Sequence, residues 1–197
     1  MKIIGITGGV GAGKSQILKY IKEHCNCKIV FADEVGNLVK EPGMICYQPL
    51  IELLGDKILN PDGTINKNRM AECIFSNPDT LDTVNGIIHP AVKEYIVNDI
   101  EDEKVQGKIS IYFIEAALLI EDGYDKICDE LWYIFAREEI RKQRLILSRG
   151  YSEEKIAQII KMQRSEEEFR RYCKVVIDNS GEIEKSYEQI KAKLEEL

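Results

Sequence analysis

The stretch Lys2-Ile3-Ile4-Gly5-Ile6-Thr7-Gly8-Gly9-Val10-Gly11-Ala12-Gly13-Lys14-Ser15 decides the architecture. Its first six residues are a short apolar run ending in glycine, the pattern of a buried strand. From Lys14 to Glu23, Ile17, Leu18 and Ile21 recur at helical spacing. Between them, Gly8 to Ser15 fits G-x-x-x-x-G-K-[ST] at a strand-to-helix junction, where that pattern must sit to work. Glycine lets the backbone turn its N–H groups inward around phosphate oxygens, and the helix N-terminus adds partial positive charge. Lys14 reaches the outer phosphates and the Ser15 hydroxyl serves Mg²⁺. Gly9, Gly11, Ala12, Gly13, Lys14, Ser15 and the following Gln16 are the expected nucleotide contacts. The chemistry implied is movement of the γ-phosphoryl group of a nucleoside triphosphate, ATP with Mg²⁺, onto a hydroxyl. A glycine-rich turn without a ligand is the competing reading, and placement after a strand weighs against it.

Four further apolar runs follow: Lys28-Ile29-Val30-Phe31, Ile109 to Ile114, Leu131 to Phe135, and Val175-Val176-Ile177. Several are apolar on both faces, which predicts a five-stranded, mainly parallel sheet flanked by helices in an α/β fold. Two helical insertions interrupt it. The first, residues 35–108, is punctuated by Glu41-Pro42-Gly43, Asn60-Pro61-Asp62-Gly63, Asn77-Pro78 and His89-Pro90. Pro78 to Glu103 reads as one long helix with a kink at Pro90, because Leu81, Val84, Ile87, Ile88, Val92 and Ile96 recur at threes and fours. The second insertion, residues 138–172, separates the last two strands. The core is then 1–34 with 109–137 and 173–197.

Two acids end strands. Asp33 lies where a carboxylate can orient or deprotonate an attacking hydroxyl; a cap for a helix from Glu34 to Lys40 is the competing reading, and the two roles are compatible. Glu115 is placed to hold a Mg²⁺-bound water or to position Asp33; an exposed strand-end acid is the plainer reading. His89, in an apolar helical stretch, reads as a structural histidine.

With 197 residues and 44% hydrophobic content, the chain can bury a core without staples. No stretch approaches the ~20 apolar residues that span a bilayer, so a soluble, cytoplasmic protein without membrane partners is expected. Six cysteines without a C-x-x-C pair read as reduced thiols. A formal charge of −7 argues against nucleic acid as a partner. Seven of the eight arginines nevertheless fall between Arg137 and Arg171. Such a cluster in an acidic protein can grip a polyphosphate, although a solvated helix face is the commoner explanation of a charge run.

The order and spacing of several motifs resemble the dephospho-CoA kinase family nearly end to end. The carriers are the phosphate-binding loop from Ile6 to Ser15, Ala32-Asp33, Glu41-Pro42-Gly43, Ile74-Phe75-Ser76-Asn77-Pro78 and Ile88-His89-Pro90. They continue with Leu118-Leu119-Ile120-Glu121, Gln143-Arg144-Leu145, Gln163 and Val176-Ile177-Asp178-Asn179. The resemblance implies a P-loop core, a first insertion that binds the CoA substrate and an arginine-rich lid. It implies ATP and dephospho-CoA as substrates, with Asp33 as base on the ribose 3′-hydroxyl. Arg144 would be a lid cation near the transferring phosphate, and Asn179 would lie by the adenine. The chain departs from the family pattern at Gln16, Phe31, Ala117, Ile159 and Cys173-Lys174, while Lys14, Ser15, Asp33 and Arg144 persist. A kinase of another nucleoside or nucleotide and a non-catalytic nucleotide-binding regulator are the alternatives. A monomer and a small homo-oligomer are both open.

Overall fold

The opening run becomes β1 (Lys2–Thr7), the middle strand of a five-stranded sheet. The computed structural model describes residues 1–75 and 78–197. Ser76 and Asn77, and with them the Asn77-Pro78 break, lie outside the described residues. From β1 the loop leads into α1 (Lys14–His24) and β2 (Cys27–Phe31). After the first insertion come β3 (Ile111–Glu115) and β4 (Glu130–Phe135), and after the second, β5 (Val175–Asp178). The sheet order is β2-β3-β1-β4-β5. β1 pairs parallel with β3 and β4, and β4 pairs parallel with β5. Glu115, expected at the end of its strand, is the last residue of β3 and stands in register with Ile6.

The strands hold because both faces are covered. Ile4, Ile6, Phe113, Ile114, Trp132 and Ile134 are fully buried, each contributing about 1.5–3 kcal/mol of side-chain transfer free energy. Trp132 meets Phe113 edge-on and donates its indole N–H to Glu130 at 3.1 Å. The chain leaves β1 towards β2 on one side and leaves β4 towards β5 on the other. Strand order therefore reverses between β1 and β4, the place where open α/β sheets bind ligands. The glycine-rich loop follows β1 at that reversal, and the arginine-rich segment follows β4.

The chain divides into two compact units, Met1–Ile29 with Gly107–Leu197, and Val30–Gln106. The first contains residues 138–172, folded as α6 (Glu138–Arg149), α7 (Glu153–Lys161) and α8 (Glu166–Tyr172), and ends in α9 (Ile183–Glu195). Tyr133 of β4 stacks on Phe169 of α8 at 4.6 Å, which ties this segment to the sheet.

The second unit consists of α2 (Ala32–Leu38), α3 (Tyr47–Leu54), α4 (Lys67–Phe75) and α5 (Pro78–Gln106). A single antiparallel bridge, Leu59 to Ile65, closes the Asn60-to-Gly63 turn. Helix α5 runs through Pro90 as one element. Val84, Val92, Ile96 and Ile100 form its buried stripe, whereas Leu81, expected on that stripe, is exposed. Helix α2 begins two residues earlier than the sequence suggests. Phe31 is its N-cap and no side chain caps it, so Asp33 sits in the first turn and does no capping.

Candidate active site

The phosphate-binding loop is built by close approach. Gly13 has φ 89°, a left-handed conformation that disfavours side chains, and a Cβ there would strike the Asn179 amide. A Cβ on Gly9 would overlap the Arg141 guanidinium. The glycines therefore do two things: they turn the backbone and they admit side chains from distant segments.

Lys14 opens α1, and its Nζ donates to the Gly8 carbonyl at 2.7 Å and lies 3.5 Å from Glu115 Oε1. Both side chains are largely shielded, at 17% and 14% exposure, so this pair is screened less than a surface one. Ser15 and Gln16, the next two residues of the helix, are exposed.

Beneath the loop, Asn179 is fully buried and all of its polar atoms are engaged. Its Nδ2 donates to Ala12 C=O at 2.7 Å, and its Oδ1 accepts from Ser186 Oγ at 2.9 Å. Its backbone N–H donates to Phe135 C=O at 2.7 Å, and its carbonyl accepts from Arg144 Nη2 at 2.9 Å. Arg144 Nη1 also donates to Ala12 C=O, at 3.3 Å. Asn179 thus joins the last strand, α9 and α6 to the centre of the loop. Replacing it by alanine removes a buried donor and acceptor, which costs about 1–3 kcal/mol. The expected result for Asn179→Ala is a lower melting temperature, by ~2–4 °C per kcal/mol at this chain length, read by thermal unfolding. An unchanged melting temperature would contradict the strut.

Two residues outside the sequence-based set also hold the loop. Arg141 Nε donates to Val10 C=O at 2.9 Å, and Arg141 Nη2 donates to Gln163 Oε1. Gln163 Oε1 also accepts the Val10 N–H at 3.3 Å. Burial pushes the Arg141 pKa down, partly offset by Tyr133 and Glu138, and a guanidinium still keeps its charge. Arg141, Arg144 and Leu145 share one face of α6, at i, i+3 and i+4, and that face covers the loop. Helical spacing within the arginine cluster was the available signal for Arg141. The other arginines are used differently: Arg149 lies beside Tyr151, Arg164 pairs with Glu121 at 2.5 Å, and Arg170 pairs with Glu166.

A cleft of about 430 Å³ opens on the loop, lined by Gly8, Val10, Lys14, Glu121, Gln163 and Arg164 among others. Its cations, Lys14 and Arg164, both rest on protein oxygens, Lys14 on the Gly8 carbonyl and Glu115 and Arg164 on Glu121 and Glu168, so a phosphate would exchange with these acceptors to reach them. The oxygen donors next to the loop are the Ser15 hydroxyl and the Glu115 carboxylate. Such a donor set fits Mg²⁺, which keeps waters and shares its shell with substrate phosphates. Among the described residues no group of three or more His, Cys, Asp or Glu gathers to hold a metal, and no helix is long and apolar enough to cross a membrane. Asp33 belongs to the other unit, where its carboxylate is exposed.

In that second unit a cleft of about 590 Å³ is bordered by Lys40 and Lys67 and floored by Ile65, Met70, Ile74 and Ile88. Burial, and next the Lys67 charge, lower the Lys40 pKa, with Cys46 and Asp33 opposing.

A glycine-rich phosphate cradle at the reversal of a parallel sheet flanked by helices defines a P-loop α/β protein. The family model described as dephospho-CoA kinase matches residues 2–185. Among curated relatives, the dephospho-CoA kinase of Dehalococcoides mccartyi is 36% identical over 195 residues, covering 98% of this chain and 97% of that one. This chain belongs to the dephospho-CoA kinase family. The crystal structure of TT1252 from Thermus thermophilus is similar at TM-score 0.82 and 26% identity, covering 100% of this chain and 97% of that one. The dephospho-CoA kinase from Campylobacter jejuni shares the fold at TM-score 0.76 and 18% identity, with coverage of 100% and 97%.

Proposed function

We propose that this protein transfers the γ-phosphoryl group of ATP to the ribose 3′-hydroxyl of dephospho-CoA, giving coenzyme A and ADP. The observation that carries the reading is the loop from Gly8 to Ser15, with Lys14 shielded against Glu115, in a chain that belongs to this family over nearly its whole length.

The loop and Lys14 hold the triphosphate, and Arg141 and Arg144 brace the loop from outside. Mg²⁺, held through Ser15 and by way of water through Glu115 or Asp33, would supply charge neutralisation at the phosphates. Asp33 takes the proton of the 3′-hydroxyl as that oxygen bonds to the γ-phosphorus, and the bond from the γ-phosphorus to the bridging oxygen breaks to release ADP. Residues 35–108 receive the acceptor. The cleft bordered by Lys40 and Lys67 suits a ligand that joins phosphate charge to an apolar arm. Residues 138–172 act as the lid that excludes water. Asn179, with its amide turned to Ala12, serves the nucleotide through the loop, and adenine contact at this position would come from its surroundings.

The test is ADP release by the purified protein with Mg·ATP, comparing dephospho-CoA, nucleosides, nucleoside monophosphates and no acceptor, with product mass checked for one added phosphate. Stimulation by dephospho-CoA with coenzyme A as product is expected. Stimulation by a different acceptor alone would reassign the substrate, and ATP binding without acceptor-dependent ADP would favour a regulator.

A further inference from the structure

The Val10 peptide is held at both ends by residues far away in the chain. Its N–H donates to Gln163 Oε1 and its C=O accepts from Arg141 Nε. The ring closes because Arg141 Nη2 donates to the same Gln163 oxygen. An amide oxygen has two lone pairs, and both are used here. Gln163 lies in the turn between α7 and α8, with its own N–H on the Ile160 carbonyl. It is half-buried and separates two hollows. One is the cleft that contains Lys14; the other, of about 610 Å³, is bordered by Arg141, Arg137 and Glu138. Next to it Arg164 is anchored on Glu121, which fixes the turn to the segment after β3.

We propose that Gln163 is a positioning residue for triphosphate binding: one amide oxygen orients the Val10 peptide and the Arg141 guanidinium together. Arg141 uses its Nε and an Nη2 donor on Val10 and Gln163, which holds the guanidinium against Gly9 and so fixes the loop backbone whose N–H groups are to cradle phosphate. Without Gln163 the guanidinium keeps a single tether and rotates freely about it. The Val10 N–H, at the edge of the phosphate cleft, then loses its acceptor. The inference rests on the nucleotide reading of the loop and does not depend on the acceptor.

The experiment is a double-mutant cycle on the full chain with Arg141→Met, Gln163→Met and the double variant, reading dissociation constants for Mg·ATP and for adenosine by calorimetry. Each single variant is expected to bind Mg·ATP about 3- to 10-fold more weakly, the scale of one lost hydrogen bond. The double variant should lose clearly less than the product of the two single losses, because the two residues share the Arg141–Gln163 hydrogen bond and hold the same residue, Val10. Adenosine, which has no phosphate, should bind all four proteins alike; a merely structural lesion would weaken it too. Should the Met variants fail to fold, Gln163→Asn, which keeps the amide but shortens its reach, carries the same expectation for the Mg·ATP to adenosine ratio. Losses that multiply in the double variant, or wild-type Mg·ATP affinity in Gln163→Met, overturn the proposal alone. A wild-type protein that does not bind Mg·ATP overturns the nucleotide reading and this inference with it.

Discussion

Lys14→Ala should lower kcat by at least ~10²-fold, the scale of removing one preorganised charge from a transition state. Lys14 is the first residue of α1, and its ammonium is shielded between the Gly8 carbonyl and Glu115. That position lets it follow the charge that builds on the outer phosphate oxygens as the γ-phosphoryl group moves. The loss should appear in kcat more than in the Kd for Mg·ATP, because backbone N–H groups and the helix N-terminus still hold the phosphates. Lys14→Arg should not restore the rate, since a planar fork cannot replace a compact ammonium between those two oxygens. ADP release at saturating substrates, with calorimetric nucleotide binding alongside, reads both quantities. Turnover within ~3-fold of wild type in Lys14→Ala would remove this residue from the chemistry.

Asp33→Asn is the second large effect, again at least ~10²-fold in kcat, the usual contribution of a positioned general base. The amide keeps the shape and loses the ability to accept a proton. Asp33 does no capping: Phe31 is the N-cap of α2, no side chain caps that helix, and Asp33 is exposed, with its charge felt by Lys40. Its structural contribution is that of an acid in a first helical turn, about 0.3–1 kcal/mol. The variant should therefore melt within a few degrees of wild type and bind Mg·ATP normally while transfer collapses. Near wild-type turnover in folded Asp33→Asn would end the base assignment. A collapse in nucleotide binding as well would make Asp33 a nucleotide or metal contact.

Much of this was legible locally. The run from Lys2 to Ser15 encodes strand, loop and helix within a few residues, because apolar alternation, glycine φ and helical spacing are short-range sterics. The other strands were visible for the same reason, with ends displaced by a residue or two, as at Asp178, where pairing with Phe135 extends β5. The long helix expected over residues 78–103 is present as α5, with Pro90 inside it and Val84, Val92, Ile96 and Ile100 on its buried stripe.

The opening strand, glycine-rich loop and helix, and the runs that form the parallel sheet, could be read from the sequence, since each depends on residues adjacent in the chain. Only the tertiary structure decided which distant side chains brace that loop. Asn179 meets Ala12 across 167 residues, Arg141 meets Val10 across 131 and Gln163 meets Val10 across 153. Of the seven clustered arginines the family resemblance singles out Arg144, and Arg141 joins it because α6 turns the face of Arg141, Arg144 and Leu145 onto glycines that leave room for them. Contacts of that kind follow from how β4, α6 and β5 pack around β1: helical spacing puts Arg141 and Arg144 on one face of α6, and the packing decides what that face meets.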